Sequence, residues 1–222
     1  MRTLLIVNPN TSAEVTARLL AHASAQAPAG WTLQGVQARF GARYISGELA
    51  AAVAAHAALD AFAHHAAAHG EPDAVLLGCF GDPGLLALRA CTRAPVLGLA
   101  EAAMRAAGRH GRYAIVTGGA AWAPMLERLA RALQLDRELC GVHTVPRSGG
   151  ELAADPAGAQ LLLRQACEGA LARWPDARAV LLGGAGLAGM AAPLAGLLPV
   201  PVLDNVSLAL DAVWSLPVAA AP

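Results

Sequence analysis

The chain has 222 residues, with sixteen basic and sixteen acidic side chains and a formal net charge of zero. No basic block points to a nucleic-acid or membrane-surface partner, and every basic residue is arginine, which excludes lysine Schiff-base chemistry and a P-loop lysine. The length suits one domain, or two small lobes, with a sizeable core.

The first apolar run, Leu4 to Val7, is too short for a signal h-region and reads as a strand over Thr3–Val7. Asn8-Pro9-Asn10 turns the chain, and Thr11 with Glu14 three residues on forms a capping box for a helix over 12–27. A strand over Leu33–Gln37 and a long helix over 48–69 follow. On that helix His56, Asp60 and His64 share a face at metal-ligand spacing, with His65 and His69 close by. The helix is alanine-rich and lacks a zincin signature, so this reads as a solvated polar face and no metal site is expected.

The next predicted strand, Ala74–Gly78, runs directly into Cys79. Asp82-Pro83 then fits the N-cap and first position of a helix over 84–91. Strand Val96–Leu99 leads to a helix over 100–109, where Glu101 reads as first-turn charge and otherwise as a proton relay. Strand Tyr113–Thr117, helix 121–134, strand Gly141–Val145 and helix 156–173 continue the alternation. Ala179 to Leu203 carries no charge and is long enough for a membrane span, but its five glycines and three prolines divide it into strand Ala179–Leu182, a helix over 187–197 and strand Val200–Leu203. A helix over 205–215 ends the pattern.

This alternation predicts an α/β fold of mainly parallel sheets flanked by helices, with a ligand beyond the carboxyl ends of the strands. An internal repeat refines it. Ala74–Gly78 and Ala179–Gly183 both read AVLLG, 105 positions apart, and Ile6-Val7-Asn8 is echoed by Ile115-Val116-Thr117, 109 positions on. Two lobes related by a pseudo-twofold axis are expected, residues 1–97 with 205–222 and residues 98–204, with a cleft between them. Asn8, Cys79, Thr117 and Gly184 then converge on that cleft.

Cysteines stand at 79, 91, 140 and 167, none in a C-x-x-C pair, so neither a zinc knuckle nor a redox pair is expected. Free thiols in a reducing cytoplasm are the reading. For Cys91, Cys140 and Cys167 core filling is expected. Cys79 is open to two readings. A helix N-terminus just beyond it lowers a thiol pKa, Asp82 opposes that, and a small buried hydrophobe fits equally well.

Four stretches together carry a family resemblance: Val7-Asn8-Pro9-Asn10-Thr11-Ser12, Gly78-Cys79-Phe80-Gly81-Asp82-Pro83-Gly84, Glu101-Ala102-Ala103 and Gly183 to Leu194. In this order they resemble the hydantoin racemase branch of the aspartate/glutamate racemase superfamily. The resemblance implies a two-lobed α/β fold, a cofactor-independent isomerase, and a small hydantoin-like or amino-acid substrate. It also implies a thiol from each lobe at the cleft, one to remove the proton of an acidic α-carbon and one to return it. Cys79 would be the base, and Asn10 a substrate contact. Thr117, the repeat mate of Asn8, would bind a substrate oxygen or else merely end its strand, and Gly184 would line the cleft, with backbone N–H groups at Phe80, Gly81, Gly118, Gly119, Ala185 and Gly186 holding the oxyanion. The expected partners are that small molecule and further copies of the same chain.

The sequence departs from the resemblance at one position. The second-lobe motif reads GCAGM in the family, whereas this chain has Gly183-Gly184-Ala185-Gly186-Leu187, and the repeat also pairs Cys79 with Gly184. Three readings stay open: a racemase whose second thiol is replaced by water or another side chain; a one-thiol decarboxylase, cis–trans isomerase or amidase; and a binding protein that has lost the chemistry. Glycine at 184 is expected to widen that side of the cleft.

Overall fold

The computed structural model describes residues 1–217. Strands β1 (Arg2–Asn8), β2 (Trp31–Gln37), β3 (Ala74–Leu77) and β4 (Val96–Gly98) form one four-stranded sheet in the order β2-β1-β3-β4. Strands β5 (Tyr113–Gly118), β6 (Leu139–Val145), β7 (Ala179–Gly183) and β8 (Val202–Asp204) form another in the order β6-β5-β7-β8. All pairings are parallel, and the registers correspond: Leu77 pairs with Gly98 in the first sheet as Leu182 pairs with Asp204 in the second. The architecture is therefore α/β with two matching lobes.

The helices are α1 (Ala13–Ser24), α2 (Glu48–His69), α3 (Leu85–Cys91), α4 (Leu99–Gly108), α5 (Trp122–Ala132), α6 (Gly149–Ala154), α7 (Pro156–Arg173) and α8 (Asn205–Trp214). Strand alternation decides what each sheet face covers. Leu5, Val7, Val75 and Leu77 pack outward with Phe62 of α2 and Leu88 of α3. Ala114, Val116, Val180 and Leu182 pack outward with Leu163 and Cys167 of α7. Leu4, Ile6, Leu76, Tyr113, Ile115 and Leu181 all point into a single cluster with α4 and α8, shared by both sheets. Each large apolar side chain buried there contributes about 1.5–3 kcal/mol. The C-terminal helix α8 touches α1, α4 and strands of both sheets. Residues 218–222, part of the segment expected to complete the first lobe, lie outside the described residues. Among the described residues no helix is long and apolar enough to cross a membrane.

Three local expectations are corrected, and one helix comes in addition. Helix α1 is capped by Ser12, not Thr11: the Val15 N–H donates to the Ser12 hydroxyl oxygen, while that hydroxyl donates to Glu14. Asp82 does not cap α3; Gly84, with φ 82°, leads into that helix. No α-helix spans 187–197. Gly189 and Gly196 take φ of 83° and 75°, and the segment makes only short 3-10 turns at Ala185–Leu187 and Ala192–Leu194. Helix α6 was hidden in the sequence because it begins Gly149-Gly150; a reciprocal Ser148–Glu151 capping box starts it.

Ser12→Ala should lower the unfolding free energy in urea by about 1 kcal/mol. Thr11→Ala, with no cap to lose, should leave it within about 0.5 kcal/mol.

Candidate active site

The carboxyl ends of β1, β3, β5 and β7 open onto one small cavity between the sheets. It is lined by Asn10, Val15, Tyr44, Ile45, Gly78, Cys79, Phe80, Thr117, Trp122, Gly184, Ala185 and Gly186. No charged side chain is among them. The space is small, with room for one or two waters. A wider outer pocket shares Val15, Tyr44 and Gly186 with it and carries Glu14, Arg18 and Arg43 at its rim. Several contacts tie the lobes together. The Gly149 N–H donates to the Tyr44 hydroxyl oxygen at 2.9 Å, and Arg128 forms a two-pronged ion pair with Glu48 at 2.6 and 2.9 Å.

Asn8 is fully buried and does not reach the cavity; its amide donates to Asn10 Oδ1, Ser12 O and Thr16 Oγ1. Asn10 Oδ1 accepts from the Asn8 amide and from Ser12 N–H, which fixes the side chain. Its Nδ2 has no acceptor among the described residues and is left for the cavity. Thr117 donates its hydroxyl proton to Gly183 O at 2.7 Å, so toward the cavity it can only accept. Phe80 crosses from the first lobe onto Gly183, where a Cβ would run into its ring, and Gly81 lies equally tightly under Trp122.

Cys79 is 7% exposed, and burial pushes its thiol well above the ordinary range, with the Asp82 carboxylate adding to the shift. The lowering expected from a helix N-terminus does not arise, because α3 starts only at Leu85. Of the other cysteines, Cys167 fills the core as expected, Cys140 is half-buried and Cys91 is exposed; none lines the cavity.

The family described as Asp/Glu/hydantoin racemase matches residues 4–213. The chain belongs to this family. It is 29% identical to a hydantoin racemase of Paenarthrobacter aurescens over 96% of this chain and 90% of that protein. A hydantoin racemase of Pseudomonas sp. (strain NS671) is 38% identical over 60% of this chain, an alignment spanning 54% of that protein. Among solved structures, allantoin racemase from Klebsiella pneumoniae superposes with a TM-score of 0.87 at 31% identity, covering 97% of this chain and 87% of its own. Allantoin racemase from Pseudomonas fluorescens gives 0.89 at 30% identity, covering 96% and 90%.

In this racemase-family chain each glycine-rich loop is fastened by one carboxylate. Asp82, with φ 47°, turns its side chain into the space left by Gly98 and accepts the N–H groups of Ala100 and Glu101 at 2.9 and 2.7 Å, capping α4. Asp204 occupies the register position matching Gly98. It accepts Val206 and Ser207 N–H at 3.0 and 2.9 Å, capping α8, and Gly189 N–H at 2.6 Å from the loop after Gly184. Burial pushes the Asp82 carboxyl up to about 7 against the pull of those two N–H bonds. Glu101 serves the same region as first-turn charge, not as a relay: Arg89 and Arg105 hold it, away from the cavity.

The loops differ in which N–H groups they leave open. Gly81 N–H donates to Cys79 O and Gly119 N–H to Val145 O, each at 2.9 Å, and neither they nor Gly118 line the cavity. Phe80, Ala185 and Gly186 N–H have no acceptor among the described residues. Gly184 sits at φ 138°, and a Cβ there would meet only Leu187, at 3.4 and 3.7 Å, so backbone conformation and not space disfavours a side chain. Away from the cavity, Asp60 is held by Arg39 through two hydrogen bonds of 2.8 Å, and His56 packs edge-on to Phe40. No group of three His, Cys, Asp or Glu side chains suited to a metal occurs among the described residues.

Tyr44, Ile45, Val15 and Trp122 line the cavity without having been read as site residues. Tyr44 and Ile45 had a usable signal: they follow the carboxyl end of β2, on the edge where such sheets bind ligands. Asp82→Ala would leave two buried N–H groups unpaired, so it should cost about 2–4 kcal/mol of unfolding free energy, read by urea denaturation.

Proposed function

We propose that the chain racemises a neutral, hydantoin-type ring at its acidic α-carbon, with Cys79 as the base on one face. The observation that carries this reading is the cavity itself: a thiol, an amide, a threonine oxygen and open backbone N–H groups, with no charged side chain on the wall. A free amino acid would bring a carboxylate and an ammonium into that space without partners, at a cost of several kcal/mol. A hydantoin or allantoin ring brings alternating carbonyl and N–H groups instead. Asn10 Nδ2 suits a ring carbonyl, and the acceptor-only Thr117 oxygen suits a ring N–H. The hydantoin and allantoin racemases that the chain resembles support the same substrate class.

In this scheme the Cys79 thiolate takes the α-proton, and the electron pair moves into the adjacent carbonyl. The Phe80, Ala185 and Gly186 N–H groups hold the resulting oxyanion, already free of competing acceptors. Placing the reaction in a small buried cavity strengthens those bonds. It also holds the resting thiol in its neutral form, so only a small fraction of molecules carries the thiolate. We propose further that Gly184 stands where relatives place a second thiol, so the opposite face lacks one.

Incubation with a 5-substituted hydantoin or allantoin in D₂O, followed by NMR and polarimetry, should show α-deuteration. Cys79→Ala should slow that exchange by about 1,000-fold; an unchanged rate would remove the thiol mechanism. The thiolate fraction rises with pH below the thiol pKa. The exchange rate should therefore climb with pH by up to about tenfold per unit, and less steeply around pH 7, where Asp82 ionises beside the thiol and raises it further.

A further inference from the structure

Resting on that reading, we infer that Tyr44 is the acid on the face opposite Cys79, standing in for the second thiol. Tyr44 belongs by sequence to the first half of the chain, on the loop between β2 and α2, yet its hydroxyl sits against the second lobe. The Gly149 N–H donates to it at 2.9 Å. The Gly149 backbone is wedged between the strand-end loops of that lobe: a Cβ on Gly118 would meet Gly149 N at 2.9 Å, and a Cβ on Gly186 would meet Gly149 O at 2.8 Å. The phenol oxygen is thus anchored beside the loop that carries Gly184 to Gly186. Cys79 lines the same cavity from the loop after β3.

The hydrogen-bonding pattern gives the group its direction. Tyr44 oxygen already accepts from Gly149, and its own O–H has no acceptor among the described residues. Its proton is the one side-chain hydroxyl proton on the cavity wall not already bonded, since Thr117 donates to Gly183 O. Burial pushes the phenol up to about 12, with Cys79 and Glu151 adding to the shift, so it is protonated at neutral pH.

The step balances without a further reactant. The Cys79 thiolate takes the α-proton from one face and becomes a thiol. The carbanion takes the Tyr44 proton on the other face, forming the new C–H bond of the opposite enantiomer and leaving a phenolate. The phenolate–thiol pair then runs the reverse reaction, or returns to thiolate and phenol by exchanging protons with water.

Tyr44→Phe tests this, because it keeps the ring and removes only the hydroxyl. Racemisation and α-deuteration of a single enantiomer are followed together in D₂O. The proposal expects racemisation to fall by at least about 100-fold, while deuteration with retained configuration, the work of Cys79 alone, stays within a few-fold of the parent. That retained exchange also shows the variant to be folded with its thiol site intact. Racemisation and exchange both unchanged would overturn the assignment to Tyr44 and leave the Cys79 reading standing. Parallel loss of both rates would overturn it in favour of a merely structural role. Absence of exchange in the parent protein would overturn the racemase reading and this one with it.

Discussion

Leu4, Ile6 and Leu76 from one sheet meet Tyr113, Ile115 and Leu181 from the other in a single buried cluster, and helices α4 and α8 complete it. Burial of alternate strand residues toward this shared core holds the two sheets in a fixed relation. With all strands parallel, the carboxyl ends of β1, β3, β5 and β7 then face a common space. The cavity is a by-product of that packing: side chains fill the interior of the sheets, and where the strands end small residues at Gly78, Cys79, Thr117 and Gly184 leave a space that Tyr44, Phe80 and Trp122 wall in.

Within that space the loops are held in place by very little. Phe80 rests on Gly183, Gly81 under Trp122, and the Asp82 and Asp204 carboxylates each tie a loop to the first turn of a helix. The two lobes reach the same end by different covalent routes. In the second, the clamp is the residue just before its helix; in the first, it is borrowed from the loop after Cys79, and Gly98 makes room for it. A carboxylate accepting helix N–H groups satisfies donors that the helix cannot satisfy itself. The loops that line the cavity are therefore fastened by protein groups of their own.

The electrostatic consequence is a cleft without formal charge. Burial raises the Cys79 thiol and the Tyr44 phenol alike, so both rest as neutral proton carriers. Burial makes either anion costly, yet it makes each N–H bond to a developing oxyanion stronger than it would be in water. Charged side chains are kept at the rim, where Glu14, Arg18 and Arg43 face solvent around the outer pocket.

Much of this was legible in the linear chain. Short continuous apolar runs, the AVLLG repeat and the Asn8–Ser12 and Gly78–Gly84 stretches determined the alternating α/β order, the paired halves and the position of Cys79 at a strand end, because these depend on local patterning. Strand ends slipped by a residue or two, and the 187–197 segment failed as a helix because Gly189 and Gly196 take left-handed conformations. The sequence also placed Gly184 opposite Cys79 by internal repeat alone. It offered one pointer to Tyr44, the position after β2; that residue lies in an irregular loop and its hydroxyl gains its direction from Gly149, 105 residues away. It could not show that Asp82 caps α4 instead of α3, that Thr117 is an acceptor, or that burial raises the Cys79 thiol. Those properties belong to partners brought together across the two sheets, and hydrogen-bond direction and desolvation exist only once the chain has closed around them.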